Sequence, residues 1–96
     1  MSFHVYILEC NDGTGYVGHT DDLENRLFEH KSGAIPGYTK NRRPLNLVFN
    51  ETFGTREEAF HAERQIKGWS RAKKEALIQS DWDTLRKLSQ RTKPNR

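Results

Sequence analysis

The chain has 96 residues, a formal net charge of +3 and a mean hydropathy of −0.95. This length is typical of one domain, which buries roughly 60–70% of its unfolded surface. No apolar run approaches the roughly 18 residues of a membrane-spanning helix, and residues 1–5 lack the basic region of a signal peptide. A lone Cys10 excludes an internal disulfide and a cysteine-based metal cluster. We therefore expect a cytosolic protein with one domain over residues 1–90 and a basic, frayed tail over residues 91–96.

The first third of the chain predicts two strands and a helix. Residues 3–9 alternate between two sets of side chains, as a half-buried strand does. The glycine-rich turn at 11–15 returns the chain into an antiparallel strand at 15–19. Asp21 followed by Glu24 resembles a helix start. Ser32-Gly33 ends this first helix.

The remainder predicts a third strand and three more helices. Residues 33–44 form a loop with glycines and prolines, and the apolar residues of 45–53 share the parity of a strand. Thr55 and Glu58 make a capping box for the second helix. Ser70 is expected to cap a third helix, and Ser80 a fourth. This order predicts an α+β fold in which helices cover a small three-stranded antiparallel sheet.

Lysine and arginine are clustered in the 33–44 loop and along the second and third helices. Clustered cations attract a polyanion through phosphate contacts and counterion release, and an interleaved aromatic residue suits nucleic acid. The candidate nucleic-acid-binding residues are Tyr38, Lys40, Arg42, Arg43, Arg64, Lys67, Arg71 and Lys73. An ordinary solvated surface also accounts for these charges, so charge alone leaves both interpretations open.

Polar residues of the types that enzymes use in catalysis are spread over the predicted elements. Tyr6 and Tyr16 lie on the two paired strands, and Arg26 and His30 are four residues apart on the first helix, where they share one side. Glu63 falls within the apolar stripe of the second helix. A carboxylate is costly there unless it is paired or bound to metal. Together these groups suit a phosphodiester-cleaving site with one metal ion.

This ordered set resembles the GIY-YIG nuclease superfamily. Val5-Tyr6-Ile7 stands where the first half of the motif would be, and Tyr16-Val17-Gly18 is similar to the second half. Arg26 and Glu63 match the family's arginine and metal-binding glutamate, and His30 matches a position that is Tyr or His in relatives.

The resemblance extends to about residue 80, and the stretch 63–71 is similar to the single-domain bacterial and viral subgroup called endonuclease-like. Two positions depart from the pattern. Val5 replaces the first glycine of the motif, and His19 stands where excision-repair relatives commonly have lysine. A histidine supplies a proton or binds phosphate only within its titration range.

The resemblance implies an endonuclease that hydrolyses phosphodiester bonds in DNA with one Mg²⁺ or Mn²⁺, with RNA also a conceivable substrate. Glu63 would hold the ion, and Arg26 would hold the scissile phosphate with its planar guanidinium. Tyr6, Tyr16 or His30 would orient or deprotonate the attacking water. The resemblance does not select one of these three. The two tyrosines are expected to face one another, with Arg26 and Glu63 closing the same groove.

Alternative interpretations accompany these roles. In the main alternative, the chain is a nucleic-acid-binding module that keeps the site and cuts little or not at all. Arg26 would then be a surface ion-pair partner, His30 a cation at a helix C-terminus, and Glu63 a carboxylate neutralised by Arg26 or Arg64. Relatives usually carry an additional specificity domain, for which this chain has no room. Weak, structure-directed or partner-dependent cutting, as in DNA repair, is therefore expected rather than sequence-specific restriction.

Overall fold

Three strands and four helices follow one another along residues 2–91, the part of the chain described by the computed structural model. In chain order they are β1 (Phe3–Glu9), β2 (Gly15–Thr20), α1 (Leu23–Ser32), β3 (Asn46–Phe53), α2 (Arg56–Lys67), α3 (Arg71–Ile78) and α4 (Trp82–Arg91). The predicted α+β class and element order are confirmed. The assignment of residues 1–90 to one domain stays a prediction, and residues 92–96 of the predicted tail lie outside the described residues. None of the described helices combines the length and apolar character needed to cross a membrane.

The sheet has the order β2-β1-β3, and both neighbouring pairs are antiparallel. The central strand β1 is buried on both faces, because its residues Val5 to Leu8 are at most 1% exposed. The half-buried strand predicted for residues 3–9 is therefore wrong, since helices cover both sides of the sheet. Tyr6 pairs with Gly18 and Leu8 pairs with Tyr16. Side chains alternate along a strand, so both motif tyrosines point to the same face of the sheet. The outer edge of β2 is an open edge of this sheet.

Helix α1 covers the face that carries Tyr6 and Leu8. Its apolar residues Leu23 and Leu27 pack against this pair, together with the buried Leu45. The strand predicted at 45–53 therefore begins one residue later, at Asn46, since Leu45 packs into this core and the pairing with β1 starts at Asn46.

Helices α2, α3 and α4 cover the opposite face, where Val5 and Ile7 point. Ala59 and Ile66 of α2 and Leu77 of α3 are buried against these strand residues, with Leu85 of α4 packed at the side. The sheet thus lies between two helical layers, and the residues of β2 alternate between them.

Two predicted helix caps are confirmed. The Thr55 side chain accepts a hydrogen bond from the backbone of Glu58 at the start of α2. The Ser70 side chain accepts one from the backbone of Lys73 at the start of α3. Both satisfy a backbone N–H that has no partner within the first helical turn.

Two other predicted caps are wrong by one residue. Asp22, rather than Asp21, caps α1 by accepting from the Asn25 backbone, because Asp21 instead pairs with Arg56 at 3.3 Å. Asp81 accepts from the Thr84 backbone at 3.2 Å at the start of α4. Ser80 has a φ of 56°, and its backbone N–H bonds the end of α3. The residue predicted to start α4 therefore terminates the preceding helix.

Candidate nucleic-acid-cleaving site

Tyr6 and His30 form the buried centre of the site. The Tyr6 hydroxyl lies 3.0 Å from His30 Nε2, and His30 Nδ1 lies 2.9 Å from Thr39 Oγ1. Tyr6 and His30 are each 1% exposed and Thr39 is 2% exposed. Strand β1, helix α1 and the loop 33–45 each contribute one member of this chain of hydrogen bonds.

Tyr16 lies beside this chain on the same face. Its ring centroid is 6.4 Å from that of Tyr6 and 5.2 Å from that of His30. Tyr38 stacks against Tyr16 at 6.2 Å with an interplanar angle of 26°. Tyr6, Tyr16, His30 and Thr39 are called the tyrosine cluster below. The two motif tyrosines face one another, as the sequence predicts.

The electrostatic environment keeps the buried members of the tyrosine cluster uncharged at neutral pH. Burial raises the pKa of the Tyr6 phenol, and Tyr16 and Glu63 raise it further, against the opposing effect of Arg26. Burial also lowers the pKa of His30, and the positive charge of Arg26 lowers it further. Desolvation disfavours the charged form of both groups. Tyr6 is therefore a phenol and His30 a neutral imidazole.

Arg26 lies on α1 at the border of the tyrosine cluster. Its guanidinium is close enough to Tyr6 and His30 to influence the pKa of both. Its side chain is 41% exposed and makes one loose ion pair, with Glu29 at 3.5 Å. Exposed ion pairs of this kind contribute little to stability. Arg26 is therefore available to an anion that approaches the cluster.

Glu63 of α2 is held by two basic side chains. His19 Nδ1 hydrogen-bonds one carboxylate oxygen, and Lys67 Nζ lies 2.6 Å from the other. Burial opposes ionisation of Glu63, but these two hydrogen bonds outweigh it and hold the pKa of the carboxyl below its ordinary value. Among the described residues, the ion pairs of Glu63 are thus with His19 and Lys67. The alternative in which Arg26 or Arg64 neutralises Glu63 is wrong.

His19, Glu63 and Lys67, called the carboxylate cluster below, approach from the other helical layer. His19 pairs with Val5 in the sheet and so points to the face covered by α2, whereas Tyr16 points to the face covered by α1. The charge of Glu63 still raises the pKa of Tyr6. The two clusters therefore lie within electrostatic reach of one another across the open edge strand β2.

The predicted nucleic-acid-binding residues divide into two groups. In the loop 33–45, Arg42 bonds Asp12 and the Tyr38 carbonyl, and Arg43 bonds the carbonyls of Lys40 and Lys31. These two arginines support the loop, and their contact with nucleic acid stays a prediction.

The second group lies on α2 and α3. Arg64 lies over the Phe60 ring at 5.5 Å, and Lys73 lies over the Trp69 ring at 4.4 Å. Arg71 bonds the carbonyl of Gly13 at 3.1 Å, which ties α3 to the β1–β2 turn. Lys67 belongs to the carboxylate cluster. These four cations lie in the same helical layer, but each contacts a different group.

Thr39 and Gly18 are site residues that sequence reasoning missed. Thr39 is nine positions from His30, and a loop threonine has no periodicity that would single it out. The sequence marks Gly18 only as part of the motif. A Cβ at this position would lie 2.6 Å from the Tyr6 hydroxyl and 3.2 Å from the Tyr16 ring. Gly18 therefore leaves the space that the tyrosine pair occupies.

The residues around Glu63 fit one hydrated divalent cation. Residues 2–91 contain no group of three or more His, Cys, Asp or Glu side chains that could hold a metal ion. Mg²⁺ needs only one or two carboxylates because it keeps several waters, whereas a structural Zn²⁺ site needs four protein ligands. Lys67 Nζ lies 2.6 Å from one carboxylate oxygen, so a bound cation would take the place of this ammonium.

Comparison with known proteins identifies the fold and the family. Residues 2–76 match the family model of the GIY-YIG catalytic domain. The chain is 47% identical over 75 residues to a UPF0213 protein of Halobacterium salinarum, which covers 78% of this chain and 97% of that protein. It is also similar to the solution NMR structure of a UPF0213 protein from Bacillus halodurans. That pair has 44% identity and a TM-score of 0.55, with 82% of this chain and 84% of that chain covered.

A second solution NMR structure, of a protein from E. faecalis, is 40% identical with a TM-score of 0.60 and covers 83% of this chain and 85% of that chain. These relatives confirm the fold predicted from the sequence. GIY-YIG domains belong to a nuclease superfamily whose members generally use divalent metal ions. Because the family model and the relatives span more than three quarters of the sequence, the chain belongs to the GIY-YIG family.

Proposed function

We propose that the protein is a metal-dependent endonuclease that hydrolyses phosphodiester bonds in DNA, in a weak or structure-directed manner. The observation that carries this proposal is the buried hydrogen bond between Tyr6 and His30 at 3.0 Å, with Tyr16 beside His30 and Glu63 close enough to raise the pKa of Tyr6. In this arrangement the carboxylate to which we assign metal binding lies near a paired phenol and imidazole, with Arg26 beside them. A domain that served only protein contacts would have no use for this buried polar set.

The exposure of each group supports a division of roles. Arg26 holds the scissile phosphate, since its planar guanidinium matches two phosphoryl oxygens. Tyr16 is half-buried and orients or deprotonates the attacking water. Tyr6 is unsuited to be the base, because burial raises the pKa of its phenol and its hydroxyl is bound to His30.

The carboxylate cluster supplies the place for the cation. Glu63 would hold one Mg²⁺ or Mn²⁺, which when bound stabilises negative charge on the phosphoryl group. Lys67 is half exposed, with 51% of its side chain in solvent, so its ammonium can leave the carboxylate at small cost. His19 orients Glu63 through the second oxygen.

The decisive experiment compares Glu63→Gln with the matched variant Lys67→Gln. Both lose the same ion pair, but only Glu63→Gln loses the carboxylate. We expect Glu63→Gln to abolish Mn²⁺ binding and metal-dependent nicking of plasmid DNA, while DNA affinity without metal stays equal or rises. Lys67→Gln should retain both activities. The measurements are calorimetric Mn²⁺ titration, nicking with and without Mg²⁺, and thermal unfolding as a control for folding.

Nicking by Glu63→Gln at the wild-type rate would refute the metal assignment. A panel of labelled duplex, branched and single-stranded DNA and of RNA, tested with both ions, then identifies the substrate. A preference for one unusual structure supports structure-directed cutting. Uniform weak cutting would instead support partner-dependent cutting, in which, as we also propose, a cytosolic protein partner supplies specificity.

A second candidate function is nucleic-acid binding without cleavage. It is favoured by the engagement of both Glu63 oxygens by His19 and Lys67, which neutralises the carboxylate without any ion. In that case wild-type protein should bind DNA, show no nicking with Mg²⁺ or Mn²⁺, and lose thermal stability on Glu63→Gln.

A further inference from the structure

His30 uses both of its ring nitrogens in buried hydrogen bonds. Nε2 faces the Tyr6 hydroxyl at 3.0 Å, and Nδ1 faces the Thr39 hydroxyl at 2.9 Å. A neutral imidazole has one N–H donor and one acceptor nitrogen. One hydroxyl must therefore donate to His30 and the other must accept from it. The tautomer of His30 decides which of the two does so.

The chemistry of the two hydroxyls favours one arrangement. A phenol is a far stronger acid than an aliphatic alcohol, so Tyr6 is the better donor to an imidazole lone pair. Among the described residues, the hydrogen-bond partner of each hydroxyl is His30. Whichever hydroxyl accepts therefore has no protein acceptor for its own proton. Leaving the weaker donor, Thr39, in that position costs less.

We propose that Thr39 is a positioning residue that holds His30 as the Nδ1–H tautomer and thereby makes Tyr6 a hydrogen-bond acceptor toward the site. His30 donates from Nδ1 to Thr39 Oγ1, and Tyr6 donates to Nε2. The hydrogen bond made by one ring nitrogen sets the protonation of the other. The catalytic meaning of this arrangement rests on the proposed nuclease function, whereas the tautomer itself does not.

The consequence lies in what the Tyr6 oxygen can still bind. Its proton is committed to His30, so only lone pairs remain on the side where Gly18 and Tyr16 lie. A phosphate oxygen is itself an acceptor and gains nothing from such a group. A water molecule or the Tyr16 hydroxyl can donate to it. Tyr6 thus takes part in orienting the nucleophile rather than in binding DNA.

Nitrogen-15 NMR of the histidine ring tests the tautomer directly, because protonated and unprotonated ring nitrogens have widely separated chemical shifts. We expect wild-type His30 to show a protonated Nδ1 and an unprotonated Nε2. Thr39→Ser keeps the hydroxyl and should keep this pattern. Thr39→Val removes the acceptor at nearly equal volume and should move the proton to Nε2 or mix the two tautomers. Wild-type protein protonated at Nε2, or Thr39→Val with an unchanged pattern, overturns the proposal.

Kinetics on the same three proteins tests the consequence for Tyr6. Thr39→Val should lower kcat by roughly tenfold or more, since misplacing a reacting group by about 1 Å can cost a hundredfold, with the Kd for DNA close to wild type. Thr39→Ser should restore kcat. A shifted tautomer with unchanged kcat would overturn the assigned role of Tyr6.

If wild-type protein does not cleave, the nuclease proposal fails and the NMR result still decides the tautomer. If Thr39→Val does not fold, the wild-type and Thr39→Ser spectra decide it.

Discussion

At Gly18 a single missing methyl group leaves the space for the tyrosine pair. The residue pairs with Tyr6 in the sheet, and a Cβ there would lie 2.6 Å from the Tyr6 hydroxyl and 2.7 Å from the adjoining ring carbon. The Tyr6 side chain is 1% exposed and is hydrogen-bonded to His30, so it has little freedom to move aside. Steric exclusion by the tyrosine pair thus explains why a glycine stands at this position of the second motif half.

We predict that Gly18→Ala lowers the free energy of unfolding by about 1–3 kcal/mol, the usual cost of overpacking, and strongly reduces any cleavage. The matched control is Gly15→Ala in the same strand, where the nearest atom to a new Cβ is Ile7 Cγ2 at 3.6 Å, an ordinary contact. Chemical denaturation and nicking of DNA measure the two effects. Equal stability of both variants would show that the tyrosine pair yields easily and that this steric argument is wrong.

At the scale of the element, the loop 33–45 supports the site from outside the sheet. The Arg42 side chain bonds Asp12 at 3.1 Å and the Tyr38 carbonyl at 2.7 Å, and its guanidinium lies 3.8 Å from the Tyr38 ring centroid. The Arg42 carbonyl accepts from Asn11 at 2.9 Å. These contacts attach the loop to the β1–β2 turn. The loop in turn carries Tyr38 against Tyr16 and Thr39 against His30.

We predict that Arg42→Ala lowers the free energy of unfolding by roughly 1 kcal/mol, the net value of a typical hydrogen bond, and reduces cleavage because the loop loosens. Arg42→Lys should cause almost the same losses as Arg42→Ala, since an ammonium cannot reproduce the guanidinium's separate contacts. Lys40→Ala removes a neighbouring charge without disturbing any side-chain hydrogen bond shown among residues 2–91, and should weaken DNA binding alone. Thermal unfolding and DNA titration separate these cases. An unaltered melting temperature in Arg42→Ala would make this arginine a simple DNA contact.

At the scale of the whole molecule, cations lie on both helical layers and on the loop 33–45. The net charge is only +3, so attraction of DNA depends on where the positive groups lie. Arg64 and Lys73 stand over exposed or half-buried aromatic rings and make no ion pair among the described residues. Under the proposed function, these two cations of α2 and α3 would neutralise phosphates.

We predict that DNA affinity falls linearly with salt on logarithmic axes, because phosphate contacts dominate. Replacing Arg64 and Lys73 by Ala should reduce the slope by roughly two, at about 0.9 per phosphate contact, with similar losses for unrelated sequences. Arg86→Ala on α4, where Arg86 already pairs with Asp83 at 3.3 Å, is the control and should leave the slope unchanged. An affinity indifferent to salt, or a loss confined to one sequence, would contradict a phosphate-dominated interface.

Several features of the fold could be predicted from the sequence because their causes are local. The strand at 3–9, the glycine-rich turn and the caps at Thr55 and Ser70 each depend on residues within a few positions of one another. The same holds for the order of the elements, which led to the fold class, while the motif residues led to the family. Asp21 instead pairs with Arg56, 35 positions away, and the Ser80 backbone bonds the end of α3, so these two helix starts are predicted wrongly by one residue.

The arrangement of the site depends on contacts between residues far apart in the chain. His19 and Glu63 are 44 positions apart, and their pairing requires α2 to pack beside the edge strand β2. Sequence reasoning named both residues, but its alternative to a metal ion paired Glu63 with Arg26 or Arg64 rather than with His19 and Lys67. It also missed the link from His30 to Thr39, which needs the loop 33–45 to fold back over α1. Periodicity indicates which face of one element is buried, and capping indicates a hydrogen bond at its end. The partners of His19 and His30 depend instead on how the buried surfaces fit together once the elements pack.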